Sequence, residues 1–285
     1  MKKKIVSVLL ASAMVLSLAA CGKTEEPAAA TEETTEAAAE TTEAAAETTE
    51  AAETTEAAET TEAAEETTEA SGDVLSYADY AAAAVDTEVT VETYVQAKQG
   101  WWENEGVGNA TFYTQDENGG YFLYNMPCSE EDYAKLTEGT KIRVTGYKAE
   151  WSGEVEIIDA TYEIIDGNYV AKATDVTDKL GSDDLANYMN MLVAFNGMTV
   201  EAANDDGAAF LYNWDGSGSQ GDDLYFNVSK DGTTYTFCVE SYLCGSDTDV
   251  YKAVEGLNVG DTVDLEGFMY WYEGPQPHIV KVTVK

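Results

Sequence analysis

From Thr24 to Gly72 the chain is built almost wholly from threonine, glutamate and alanine. Such a stretch has no large apolar side chain with which to offset the entropy lost on folding. Alanine and glutamate favour helix, but Glu36, Glu40, Glu43, Glu47 and Glu50 recur three or four residues apart and stack like charges on one would-be face. The segment is therefore expected to be a disordered, self-repelling tether. At Asp73 tyrosine, valine, isoleucine and glycine appear at ordinary globular frequency. Folding capacity is confined to residues 73–285, enough chain for about two small domains.

Ahead of the tether stand Lys2, Lys3 and Lys4, then an apolar run from Ile5 to Ala20 that closes on Leu18-Ala19-Ala20-Cys21. Basic start, apolar middle and small-residue end are the layout of a secretory signal peptide. The run is shorter than the ~20 residues that cross a bilayer comfortably, and no basic stop-transfer flank follows it. Leu18 to Cys21 resembles the lipobox of bacterial lipoproteins. That resemblance implies a signal peptide over 1–20, cleavage before Cys21 and diacylation (palmitate-type lipid) of its thiol, with 21–72 as a lipid-anchored linker. Two acyl chains hold a protein stably where one does not. The expected partner through Cys21 is thus the cell membrane, on its extracytoplasmic side.

The chain carries 54 acidic against 15 basic side chains, a formal net charge of −39, and Arg143 is its only arginine. Affinity for nucleic acid depends on lysine and arginine displacing phosphate counterions. On charge, direct nucleic-acid binding is disfavoured. Beside Cys21 the cysteines are Cys128, Cys238 and Cys244, an odd number that cannot all pair within the chain. Cys238 and Cys244 either form a disulfide or are buried thiols, and their C-x5-C spacing matches no common zinc pattern. No cofactor and no metal are expected.

A repeat organises the folded part. Leu136, Gly139, Ile142, Val144 and Gly146, followed by Tyr147 and Trp151, are echoed at an offset of 121 by Leu257, Gly260, Val263, Leu265 and Gly267, then Phe268 and Tyr272. In the first copy, alternation of apolar and polar residues predicts strands over Glu88–Gln96, Thr111–Gln115 and Tyr121–Met126. A short helix capped by Ser129 follows, then strands over Lys141–Ala149 and Val155–Ile164 joined at Ser152-Gly153. The second copy repeats the order with larger insertions: Val193–Glu201, Ala208–Asn213, Leu224–Val228, Thr234–Glu240, a helix capped by Asp247 and ending near Glu255, Thr262–Tyr270 and His278–Val284. Three strands, a helix and two strands resemble the OB fold, a five-stranded Greek-key barrel. The expected architecture is all-β: two tandem OB-like barrels, over 73–172 and 173–285, after the tether.

OB folds bind ligands on the face of their second and third strands and on the loops after the first and fourth. In this sequence those loops hold Trp101, Trp102, Trp151, Tyr270, Trp271 and Tyr272. Exposed rings of this kind stack on sugars, bases or apolar side chains; buried, the same rings would close the barrel ends. Asp215, Ser217, Ser219, Asp222 and Asp223 offer hard oxygen atoms, but the loop lacks the glycine and glutamate spacing of an EF-hand and reads first as a solvated turn. His278 is the only histidine and no nucleophile motif accompanies it, so no catalytic residue is assigned. The sequence points to a membrane-anchored lipoprotein acting as a non-catalytic binding module for an extracellular glycan or protein. The alternatives are a structural spacer or assembly component of the envelope, a nucleic-acid-binding OB module, or a hydrolase.

Overall fold

A computed structural model describes residues 73–285. The signal-like segment, Cys21 and the threonine-rich tract lie outside the described residues.

The first barrel is preceded by a helix, α1 (Tyr77–Ala82), and is built from β1 (Glu88–Lys98), β2 (Trp102–Asn104), β3 (Val107–Gln115), β4 (Gly120–Pro127), α2 (Glu130–Lys135), β5 (Thr140–Trp151) and β6 (Glu154–Asn168). Its strands run β1-β5-β6-β4-β3, and β3 pairs back onto β1, so the ring closes; β2 adds a short hairpin to β3. The second barrel comprises β7 (Thr174–Asp175), β8 (Leu192–Glu201), β9 (Leu211–Tyr212), β10 (Leu224–Lys230), β11 (Thr233–Val239), α3 (Asp249–Glu255), β12 (Thr262–Phe268) and β13 (His278–Val284). It closes in the same order, β8-β12-β13-β11-β10 and back to β8, with β11 and β13 joined through Cys238 and His278. The fold is mainly β, two tandem OB-like barrels, and closure removes the free strand edges that would invite aggregation.

The repeated glycines explain the shared geometry. Gly139 and Gly260 sit at φ +86° and +95° just before the fourth barrel strand of each copy, a left-handed conformation that costs an L side chain energy. Gly146 and Gly267 lie where the fourth strand slips register against the fifth. A Cβ on Gly146 would meet Ile158 O at 2.7 Å, and one on Gly267 would meet His278 O at 2.4 Å. Between them, Ile142 and Val144 in one barrel and Val263 and Leu265 in the other are fully buried core residues.

Three local details depart from the sequence expectations. The second-barrel helix is capped by Thr248, whose hydroxyl accepts from Tyr251 N–H, and not by Asp247. The strand expected over Ala208–Asn213 shrinks to β9, because Asn204 Oδ1 ties up the N–H groups of Asp206 and Ala208 and Asn213 turns to φ +59°. The sequence expectations also passed over α1, although Ser76 and Asp79 bond reciprocally at its start. At its other end the Lys148 ammonium donates to Tyr80 O, Ala81 O and Ala83 O at 3.0, 2.9 and 2.8 Å. This uses all three of its protons and ties the helix to β5. Cys128, Cys238 and Cys244 are free and buried, and burial pushes the Cys128 thiol up to about 11 and the Cys244 thiol up to about 12.

Candidate functional site

Alternation along β3 and β4 sends Phe112, Tyr121 and Leu123 into the first core and Tyr113, Phe122 and Tyr124 outward. The outward face is the one on which OB folds bind ligands, and here the second barrel covers part of it. Tyr113 stacks on Phe268 with centroids 4.5 Å apart, and Phe122 meets Tyr270 edge-on at 5.5 Å. Polar bonds fix the junction: Gly100 N–H to Tyr242 O at 3.0 Å, Leu192 N–H to Gln115 Oε1 at 2.8 Å, Trp271 N–H to Glu154 Oε2 at 2.9 Å and Glu273 N–H to Ser152 O at 2.8 Å. The barrels are thus interlocked through backbone as well as side chains.

Where that packing stops, a cleft of about 630 Å³ remains between the barrels, within the range of small-ligand sites. Trp102 from β2, Tyr124 from β4 and Trp151 at the end of β5 line it from the first barrel. Tyr242, after β11, and Tyr270, after β12, line it from the second. Trp102, Tyr124, Trp151 and Tyr242 are exposed in spite of their size, Tyr242 at 76%. Polar groups converge beneath these rings: Gln99, Asn125, Glu156, Glu240 and His278.

The electrostatics are set by burial. Glu240 accepts from Gln99 Nε2 at 3.1 Å and from the N–H groups of Tyr242 and Leu243, yet burial, helped by Asp223, pushes its carboxyl up to about 7. Glu156 is pushed up by burial alone. Behind the cleft, Glu154 is fully buried and pushed up to about 8, again chiefly by burial. Its Oε1 and the Oδ1 of its neighbour Asn190 have no partner as acceptors. With its carboxyl held up at about 8, this acid is mostly protonated at pH 7. His278 is held down to about 3 by burial and is neutral as well. Its Nδ1 lies 2.8 Å from the Tyr113 hydroxyl, which has no other acceptor among the described residues and so donates to it.

Of the residues singled out from sequence, Trp102, Trp151 and Tyr270 line the cleft, and Tyr272 lies beside it with its ring 5.3 Å from Trp151. Trp101 does not. It packs on the first core, and its Nε1–H donates to Cys128 O at 3.0 Å. Trp271 lies against Gly153 in the β5–β6 turn, where a Cβ would come within 2.8 Å of its ring. Tyr124, Tyr242, Gln99, Glu156 and Glu240 were missed. Their positions look like solvent-facing strand and turn residues until the second barrel arrives. In the Asp215–Asp223 loop, Asp215 Oδ1 accepts from Ser217 N–H and Asp222 Oδ2 from Ser219 N–H, while Asp223 Oδ1 accepts from Ser241. Among the described residues no group of three His, Cys, Asp or Glu side chains is placed to hold a metal ion.

No protein-family model matches the chain, and no curated protein matches it. Among solved structures, it is similar to a murine DNA-binding protein bound with double-stranded DNA, at 12% identity and a TM-score of 0.34, over 69% of this chain and 96% of that one. It is similar also to the Ifi202 HINa domain in complex with 20-base-pair double-stranded DNA, at 13% identity and a TM-score of 0.30, over 70% of this chain and 96% of that one. A third is a replication protein A heterotrimer bound to single-stranded DNA, at 11% identity and a TM-score of 0.30, over 70% of this chain and 49% of that one. The likeness is one of fold and brings no ligand to this chain. It does correct one expectation. Net charge set nucleic acid aside as a partner, whereas these similar structures were solved on double- or single-stranded DNA. The sum over a whole chain does not describe the one face a ligand meets.

Proposed function

We propose that residues 73–285 form a non-catalytic binding module for an extracellular glycan, carried outside the cell on the linker 21–72 and held at the membrane by lipid on Cys21. The observation that carries this reading is the cleft between the barrels, with exposed Trp102, Tyr124 and Trp151 at its rim and hydrogen-bonding side chains at its floor. Aromatic faces pack against the C–H face of a pyranose, and amides and carboxylates take up its hydroxyls. Large rings left partly in water beside a concave polar floor are more exposed than packing between the barrels requires. Localisation rests on the likeness of Leu18–Cys21 to a lipobox.

The test is an array of glycans, envelope polymers and single- and double-stranded oligonucleotides, probed with the protein and with Trp102→Ala/Trp151→Ala. Glycan binding that the double variant loses supports the reading. Oligonucleotide binding lost in the same variant would replace it, and a blank array would favour a protein partner or a structural role. Two carboxylates on one cleft, Glu156 and Glu240, are also the minimum equipment of a glycoside hydrolase. Any glycan bound is therefore incubated with the protein and its chain length measured; shortened chains would overturn the non-catalytic assignment.

A further inference from the structure

Glu156 is the buried carboxylate of the cleft to which the fold supplies no donor. It is about nine-tenths buried at 9% exposure and lines the cleft, and among the described residues no donor hydrogen-bonds to its carboxylate. A buried carboxylate without partners is destabilising, whereas one met by a charged donor is not. Water reaches this carboxylate from the cleft, and a charged donor on a ligand would pair with it better than water does. Glu240 faces the same space from the other barrel, and no lysine or arginine lines it. Trp102, Trp151 and Tyr242 line the same space, and the face of such a ring favours positive charge. A quaternary ammonium would satisfy the rings but has no N–H for Glu156; a protonated primary amine has three.

We propose that the cleft takes a glycan bearing free primary amino groups, with the ammonium of one amino sugar between Glu156 and Glu240 and its ring on Trp102 and Trp151. This rests on the glycan-binding reading above and narrows it to a substrate class. A lysine side chain shares the ammonium but offers no pyranose face for two tryptophans. Glu156 is thereby a specificity residue, kept at a cost to the free protein and repaid on binding.

The test is calorimetric titration at pH 6 with a glucosamine tetramer, its fully N-acetylated counterpart and a lysine tetrapeptide. The free-amine tetramer is expected to bind at least tenfold more tightly than the acetylated one. Glu156→Gln, which keeps side-chain shape, should weaken it about ten- to a hundredfold, the value of a charge-assisted hydrogen bond. Asp205→Asn removes the same charge from an exposed turn and should change affinity less than twofold, which separates recognition from the general pull of an acidic protein on a cation. Circular dichroism establishes that each variant is folded. Equal affinity for free and acetylated tetramers, or indifference to Glu156→Gln, overturns the amine proposal and leaves glycan binding standing. A lysine peptide bound as tightly as the amino sugar overturns the sugar in favour of a basic peptide. No binding of either tetramer, with other glycans bound on the array, again sinks only the amine; no glycan bound at all sinks both.

Discussion

Glu154→Gln should make the protein markedly more stable at high pH while leaving it nearly unchanged at low pH. Glu154 is fully buried, one oxygen accepts from Trp271 N–H and the other has no donor. Its carboxyl is pushed up from 4.5 to about 8. The folded state therefore keeps a proton that the unfolded chain releases. Stability from this group is complete below about pH 4.5 and is lost as pH rises through about 8. Each pH unit within that window is worth about 1.4 kcal/mol, so the full loss is on the order of 4–5 kcal/mol. Glutamine keeps an oxygen for Trp271 N–H and does not titrate. Urea unfolding of both proteins from pH 5 to pH 9 measures the effect. Near pH 5 the variant should lead by no more than about 1 kcal/mol, and above it should gain about 1.4 kcal/mol per unit until near pH 8. Glu240 and His278 are common to both proteins and cancel in the difference to first order, and Glu156, whose charge bears on Glu154, adds a smaller contribution of its own. Parallel curves across the whole range would refute a neutral Glu154.

Two further substitutions test the fold. Gly267→Ala places a Cβ within 2.4 Å of His278 O, a backbone atom that cannot swing aside, and should lower unfolding stability by about 1–3 kcal/mol; a loss under about 0.3 kcal/mol would mean that the bulge relaxes freely. Lys148→Met leaves the carbonyls of Tyr80, Ala81 and Ala83 without their donor. It should cost about 1–3 kcal/mol and speed proteolysis near α1, whereas unchanged protection there would show that Tyr80 packing alone holds the helix.

Much of the barrel framework is legible in the sequence because both barrels obey one rule at each strand. Val89 and Val91 alternate inward on β1, Ile142 and Val144 on β5, and glycine stands wherever the fourth strand must bend against the fifth. The site is harder to read. Adjacent residues in an extended chain face opposite ways, so Trp101 goes to the core while Trp102 reaches the cleft, and nothing local separates them. Tyr113 and Phe122 alternate correctly but look like outward residues of a single barrel; only docking buries them. Glu156 and Glu240 belong to different barrels, 84 positions apart, and acquire a common environment only through that docking. The long-range packing that makes the cleft carries no periodic signature of its own.

The same docking gives the two barrels a division of labour. The outer face of β3 and β4 supplies hydrophobic surface near Tyr113 and an open rim near Tyr124, and the switch between them occurs within a few residues of β4. Neutral Glu154 lies on the packed side and neutral His278 where the packed side meets the cleft floor, positions where charge would be costly. Glu156 and Glu240 lie on the open side, where a ligand can compensate them.

Hydrogen exchange of the protein with and without a bound glucosamine tetramer tests the cleft most directly. Protection on binding should fall on residues 99–104, 121–125, 151–156 and 240–243, segments that converge on the cleft from both barrels. Protection confined to one barrel, or centred on exposed Trp214, would place the ligand elsewhere and contradict the account.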